Sequence, residues 1–244
     1  MNNVLGIKLN PNIDIEHYTK IYRRDGIVQI PDFFEIDVAE ALFMLLAKQM
    51  NWRILYTDDH DRPVEFLHAD WMKKSDNERN TILNDALLRA RENRGFLYDF
   101  YPMVRARHLK WDIGHPIHKL TEFINSDFFL NIGRKMTEKQ NIVRADAAAC
   151  RYGPGHYLTR HLDFGENHER HAAYVIGLSK YWQPDWGGLL LFLSENQDVE
   201  KGFLPRFNNL TIFDTKYLHS VSQVSSFAGL PRFTVSGWFR DDKL

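Results

Sequence analysis

The sequence predicts a mainly β protein with α support (α+β): a jelly-roll-like barrel from about residue 140 onward, flanked by N-terminal helices. Two textures, one on either side of about residue 140, predict it. Up to about residue 140 the apolar residues recur mostly at helical spacing; beyond it, short aromatic and β-branched runs are separated by turn signals. Several short strands at close spacing favour a sandwich or barrel over βαβ units. A third observation is composition. With 44% hydrophobic and 14% aromatic residues, the chain can fill a packed core. No Pro/Gly/Ser-rich linker divides it. The expectation is therefore one structural domain over 1–244, with 1–139 as helical support carrying extra strands and 140–244 as the barrel core.

The elements follow in chain order. "GIVQI" (26–30) reads as a strand, "DVAEALFMLLAKQM" (37–50) as an amphipathic helix and "WRILY" (52–56) as a second strand. "SDNERNTILNDALLRARENRG" (75–95) opens on a Ser75-x-x-Glu78 capping box and closes at Gly95, a residue type suited to the position after a helix. "DFFLNIGRKM" (127–136) is a further short helix. The barrel strands are "AAYVIGL" (172–178), "GGLLLFL" (187–193), "LTIFDT" (210–215), "HSVSQV" (219–224) and "RFTVSGWF" (232–239).

Charge narrows the function classes. Lysine plus arginine (31) nearly cancels aspartate plus glutamate (32), so no net positive field draws nucleic acid or an anionic membrane. Neither is expected as a partner, although these totals are compatible with a local basic patch. The opening "MNNVLGIKLN" lacks the basic start and apolar run of a signal peptide, and runs such as "LLLFL" (189–193) are too short to span a bilayer. Cys150 is the single cysteine, so no internal disulfide forms. A soluble, cytoplasmic protein is expected, of unspecified oligomeric state.

Chemistry concentrates in "HLDFGENHERH" (161–171). On a strand, positions i and i+2 point the same way, so His161 and Asp163 aim an imidazole and a carboxylate at one point. A metal site needs a third ligand, and His219 is the best candidate: it follows an apolar strand and opens another. Two histidines and a carboxylate form the facial triad of non-haem Fe(II) oxygenases, with open positions for substrates. The rival is a zinc hydrolase, but that motif needs histidines at i and i+4, whereas His168 and His171 stand at i, i+3. These two histidines, with Arg160 and Arg170, read as solvated loop groups. The loop 193–209, with Lys201 and Arg206, is a candidate lid.

In "RFTVSGWFR" (232–240) Arg232, Thr234 and Ser236 alternate with Phe233 and Val235. A barrel strand that packs its apolar face on helices turns Arg232 and Thr234 inward. A buried arginine requires an anion, and its planar fork suits a carboxylate that a nearby hydroxyl can share. Taken alone, an edge-strand arginine in a surface salt bridge is the better reading.

Together, "RYGPGHYLTRHLD", "WGGLLLFL", "FDTKYLHSVSQV" and "RFTVSGWF" resemble, in this order, the 2-oxoglutarate/Fe(II)-dependent oxygenases, and in particular their prolyl-4-hydroxylase-like branch. The resemblance is detailed over about 140–240 and looser over "DGIVQIPDFFEIDVAEALFMLLAKQMNW". It implies a double-stranded β-helix (jelly-roll/cupin-like) barrel, with His161, Asp163 and His219 as iron ligands. Arg232 is then the anchor of the distal carboxylate of 2-oxoglutarate, assisted by Thr234 and Tyr152. Gly187 and Gly188 match paired glycines before a core strand. The interval from His219 to Arg232 is longer than in many relatives, which leaves Arg240 as a fallback anchor. Trp182, Trp186 and Trp238 receive no role. The implied activity is an O₂-dependent dioxygenase that converts 2-oxoglutarate to succinate and CO₂ while hydroxylating an unactivated C–H, with ascorbate as a candidate reductant. The substrate expected from that branch is a prolyl residue of a protein or peptide. The alternatives are a free amino acid or small metabolite, or an inactive jelly-roll binding module.

Overall fold

The computed structural model describes residues 6–243. The first five residues, part of the opening read against a signal peptide, lie outside the described residues. Helix α1 (Ile15–Asp25) leads to β1 (Ile27–Pro31), α2 (Ile36–Lys48), β2 (Arg53–Thr57) and β3 (Pro63–Leu67). Then come α3 (His68–Trp71), α4 (Asp76–Arg91), β4 (Phe96–Tyr101), α5 (Met103–His108), α6 (Ile117–Ile124) and α7 (Asp127–Thr137). The remainder is β: β5 (Arg144–Ala145), β6 (Ala148–Tyr152), β7 (Tyr157–His161), β8 (Arg170–Leu178) and β9 (Leu190–Leu193). The chain continues through β10 (Val199–Phe203), β11 (Phe207–Asp214), β12 (His219–Val221) and β13 (Arg232–Arg240).

All thirteen strands belong to one curled antiparallel sheet, ordered β1-β11-β8-β13-β6-β4-β7-β12-β9-β10, with β2 and β3 extending from β4 and β5 lying on β13. The predicted barrel is present, and its boundary is not at residue 140. Strand β4 sits between β6 and β7, and β1 closes the far edge on β11. "FLYDFY" is a strand because its aromatic side chains pack on both faces of a pleated surface. Strand β13, by contrast, lies in the middle of the sheet, paired to β8 on one side and β6 on the other.

Alternation along β13 divides its side chains as the sequence suggested. Phe233, Val235 and Phe239 join Tyr174, Ile176 and the apolar faces of α2, α6 and α7 in the main core. Phe129 of α7 stacks on Phe239 with ring centroids 5.2 Å apart. The opposite face is left free for a cavity. Helix α4 begins with the predicted reciprocal Ser75–Glu78 cap. It ends earlier than expected, at a turn where Asn93 (φ 58°) takes the left-handed position, while Gly95 leads into β4. Among the described residues no helix is long and apolar enough to cross a membrane.

One side chain clasps the helical layer to the sheet. Asn208 is 2% exposed; its Oδ1 accepts from the Phe34 amide and its Nδ2 donates to the Phe34 carbonyl, each at 2.9 Å. Asn208→Ala leaves two buried backbone groups unpaired, so it should destabilise the fold by about 2–4 kcal/mol. A lower urea midpoint at unchanged slope checks this.

Candidate metal centre

His161 closes β7, His219 opens β12, and the two are direct partners across the antiparallel pair. Asp163 lies two residues past the strand end, in a loop tethered by its amide to the Thr215 carbonyl at 3.4 Å. Register thus brings together residues far apart in sequence. The three side chains offer ligand atoms that all lie within 4.8 Å of one another. His161 Nε2 is 3.4 Å from one carboxylate oxygen of Asp163, and His219 Nε2 is 3.2 Å from the other. Asp163 and His219 side chains are each 5% exposed, whereas His161 is 31% exposed and forms the open side.

The tautomers test whether these residues fit a cation. His161 Nδ1 meets the Thr159 carbonyl and His219 Nδ1 meets the Tyr217 carbonyl, both at 2.9 Å. A carbonyl only accepts, so each ring carries its proton on Nδ1 and turns an Nε2 lone pair towards the carboxylate. Three acceptors facing one point in a buried site call for a positive charge between them. Burial pushes the Asp163 acid up, but in protein without metal a proton on each Nε2 is shared with the carboxylate. These hydrogen bonds and the imidazole charge more than offset burial and hold the carboxyl well below its ordinary range.

The triad opens into a cavity of about 580 Å³. Arg232, Thr234, Ser236 and Trp238 of β13 line it, opposite Tyr98 of β4 and Tyr152 of β6. Arg232 is 3% exposed, its Nε has no hydrogen-bond partner, and its guanidinium lies 4.8 Å from the Tyr152 ring centroid. Among the described residues no carboxylate neutralises it, and burial pushes its pKa down. Thr234 is 2% exposed on the same face. Burial also raises the Tyr152 phenol far above neutrality, so it is a permanent donor. A buried cation with two hydroxyl neighbours can bind one carboxylate. Gly188 makes room for it: a Cβ there would stand 3.3 Å from Arg232 Cδ and 3.0 Å from Trp182.

The six residues selected from sequence therefore line one cavity. The fallback anchor is not free. Arg240 donates to Asp146, Glu169 and Asp242 at 2.7–3.0 Å, fastening the loop after Asp163 to the end of β13. The extra length between His219 and Arg232 is taken up by the loop 222–231, pinned where Val224 bridges Gly187. Arg170 is no solvated loop charge. It opens β8, stacks 3.9 Å from the Trp238 ring centroid and lines the cavity with Arg160. His171 is bonded to Asp241, and His168 sits apart at a left-handed turn (φ 57°), so no zinc pair forms. Loop 193–209 contributes nothing to the cavity lining; part of it is the exposed strand β10. The mouth is bordered instead by Asp61 and Arg94, ion-paired at 2.7 Å.

Sequence reasoning missed Tyr98, which stacks on Tyr152 at 4.8 Å, and Cys150, which lines the same cavity. The period-two alternation of Phe96, Tyr98 and Phe100 was the available signal. Burial pushes the Cys150 thiol up to about 11. At pH 8, iodoacetamide should therefore label native protein roughly a hundredfold more slowly than unfolded chain, as mass spectrometry would read directly.

The comparisons with known proteins agree with this geometry. Residues 147–240 match the model of the 2OG-Fe(II) oxygenase superfamily. No curated protein sequence matches the chain. Among solved structures, it is similar to a prolyl-4-hydroxylase from Pseudomonas putida, with 17% identity, 97% of this chain and 96% of that chain covered, and a TM-score of 0.58. It is also similar to an oxidoreductase of the 2OG-Fe(II) oxygenase family from Burkholderia pseudomallei (12% identity, 97% and 94% covered, TM-score 0.62). A third is a prolyl hydroxylase from Trichoplax adhaerens in complex with a hypoxia inducible factor oxygen degradation domain peptide fragment (13% identity, 93% and 89% covered, TM-score 0.60). The shared architecture is the double-stranded β-helix.

Proposed function

We propose, from the premise that residues 147–240 are a 2OG-Fe(II) oxygenase domain, that this enzyme hydroxylates an unactivated C–H of a prolyl residue in a protein or peptide, releasing succinate and CO₂. The observation that carries the reading is a set of three converging ligand atoms and an unneutralised buried arginine in one cavity. The prolyl substrate is supported by two structural neighbours described as prolyl hydroxylases, one of them bound to a peptide.

In this reading His161, Asp163 and His219 hold Fe(II). The iron, with 2-oxoglutarate and O₂, supplies the oxidising chemistry that no amino-acid side chain has. The protein's own groups do the rest. The Thr159 and Tyr217 carbonyls fix both imidazoles by their Nδ1–H groups, so their Nε2 atoms need no reorganisation. Asp163 stays ionised at any working pH and brings one negative charge to the centre. Arg232 and Thr234 grip the distal carboxylate of 2-oxoglutarate, and Tyr152 donates from the facing strand. Apolar walls at Ala173, Val175, Leu190 and Val221 limit water around the reacting groups. Ascorbate would act only as a free reductant.

Anaerobic addition of Fe(II) and 2-oxoglutarate should give a visible charge-transfer band. Air should then yield succinate, faster when a prolyl peptide is present. Peptides from a lysate should gain the mass of one oxygen only with 2-oxoglutarate. An oxygen gained by free amino acids instead would shift the substrate to a small metabolite; the absence of any band would leave a non-catalytic barrel.

A further inference from the structure

Two more cavities lie outside the site and share one wall, Trp111. The larger, about 730 Å³, is lined by Trp52, Arg53, Tyr101 and Arg151; the other, about 500 Å³, by Arg107, Lys110, His118 and Lys119. Neither has a lining residue in common with the cavity of the metal ligands. On β4 and β6, Asp99 and Arg151 alternate with Tyr98 and Tyr152 and so emerge on the opposite face of the sheet.

The groove is cationic although the whole chain is nearly neutral. In "RARHLKWDIGHPIHK" (105–119), Asp112 is the one acidic residue. Arg151 is matched by Asp99 at 2.7 Å, but the carboxylates serving the other cations are shared. Glu65 stands 3.2 Å from Arg53 and also takes Arg105 at 2.5 Å, while Glu122 serves both Arg107 (2.7 Å) and Lys119 (3.4 Å). Arg53 Nε is buried without a hydrogen bond, because Glu65 lies off its bonding direction. Aromatic walls back these cations: Arg151 lies 5.2 Å over Trp52, and Arg53 lies 5.2 Å over Trp111. Ile113, 84% exposed, adds an apolar contact in the lining of the smaller cavity.

We propose that this groove docks an acidic peptide segment of a partner protein, one in which carboxylates are interspersed with apolar side chains. Shared carboxylates leave cationic capacity for the guest's acids, and two cavities that share one indole wall suit side chains spaced along a peptide. A continuous polyphosphate would set charge against Glu65, Asp112 and Glu122 as well as against the cations, whereas a peptide can lay its apolar side chains there, and concave walls do not fit a flat bilayer. The guest sits on the far side of the sheet from the metal ligands. The proposal is independent of the oxygenase reading, since binding needs neither iron nor 2-oxoglutarate.

The test is fluorescence anisotropy of the full chain, without metal, against a fluorescein-labelled heptapeptide of alternating glutamate and leucine. Saturable binding is expected, weakening about tenfold between 50 and 300 mM salt. The same peptide with lysine for glutamate should not bind. The double variant Lys110→Glu/Lys119→Glu and the single variant Ile113→Asp change exposed side chains only, so their melting curves should match the parent while affinity falls at least about tenfold. No saturable binding, equal binding of the lysine peptide, or unaltered affinity in both variants overturns the proposal. So does tighter binding of a single-stranded oligonucleotide of equal charge, or of phosphatidylserine vesicles.

Discussion

Asp163→Ala is expected to lower 2-oxoglutarate turnover by more than about a hundredfold and to erase the anaerobic charge-transfer band. The argument is local. Asp163 is the single carboxylate between two Nε2 lone pairs, at 3.4 and 3.2 Å, and no other acid in the cavity is placed to substitute. A bound metal contributes several kcal/mol of charge stabilisation, and about 1.4 kcal/mol corresponds to a factor of ten in rate. Losing one of three ligands therefore costs at least two such factors. Protein without metal should melt somewhat below the parent, because the substitution removes the hydrogen-bonded partner of two imidazoles, so the charge-transfer band and not stability is the decisive readout. Succinate formation at the parental rate would remove Asp163 from the reaction.

Arg232→Met is expected to have opposite effects on stability and on binding. Without cosubstrate, Arg232 is a buried cation with the Tyr152 ring as its main neighbour. Replacing it by an apolar side chain of similar length should leave the melting temperature unchanged or raise it. The same change removes the fork proposed to hold the carboxylate, an expected loss of about 2–5 kcal/mol, or roughly thirtyfold or more in the KM for 2-oxoglutarate. Arg232→Lys should recover little, since an ammonium cannot make the paired contact. A melting temperature that falls while KM stays constant would show that Arg232 acts as a structural group and not as an anchor.

The three converging residues were legible because each carried a local signature: i and i+2 at a strand end for His161 and Asp163, and a strand-opening imidazole for His219. Arg232 was legible by alternation, since a greasy Phe233 and Val235 force their neighbours to the other face. Tyr98 was not, because its strand lies among helices in the chain and reaches the barrel only through pairing with β6 and β7. Arg170 was misread for a related reason. Its stacking partner Trp238 is distant in sequence, and no local pattern announces a contact made across two strands. The helix end at Glu92, short of Gly95, reflects the tolerance of asparagine for a left-handed turn, which competes with glycine for the same position.

The central place of the strand 232–240 bears on how the molecule is made. A ribosome that stalls before residue 232 releases a polypeptide whose neighbouring ribbons, 148–152 and 170–178, have no shared partner to join them. Each then shows solvent a row of idle amides and carbonyls, an invitation for copies to stick together. Such a fragment also lacks its guanidinium, so an incomplete molecule has no buried cation to offer the cavity before the structure is closed.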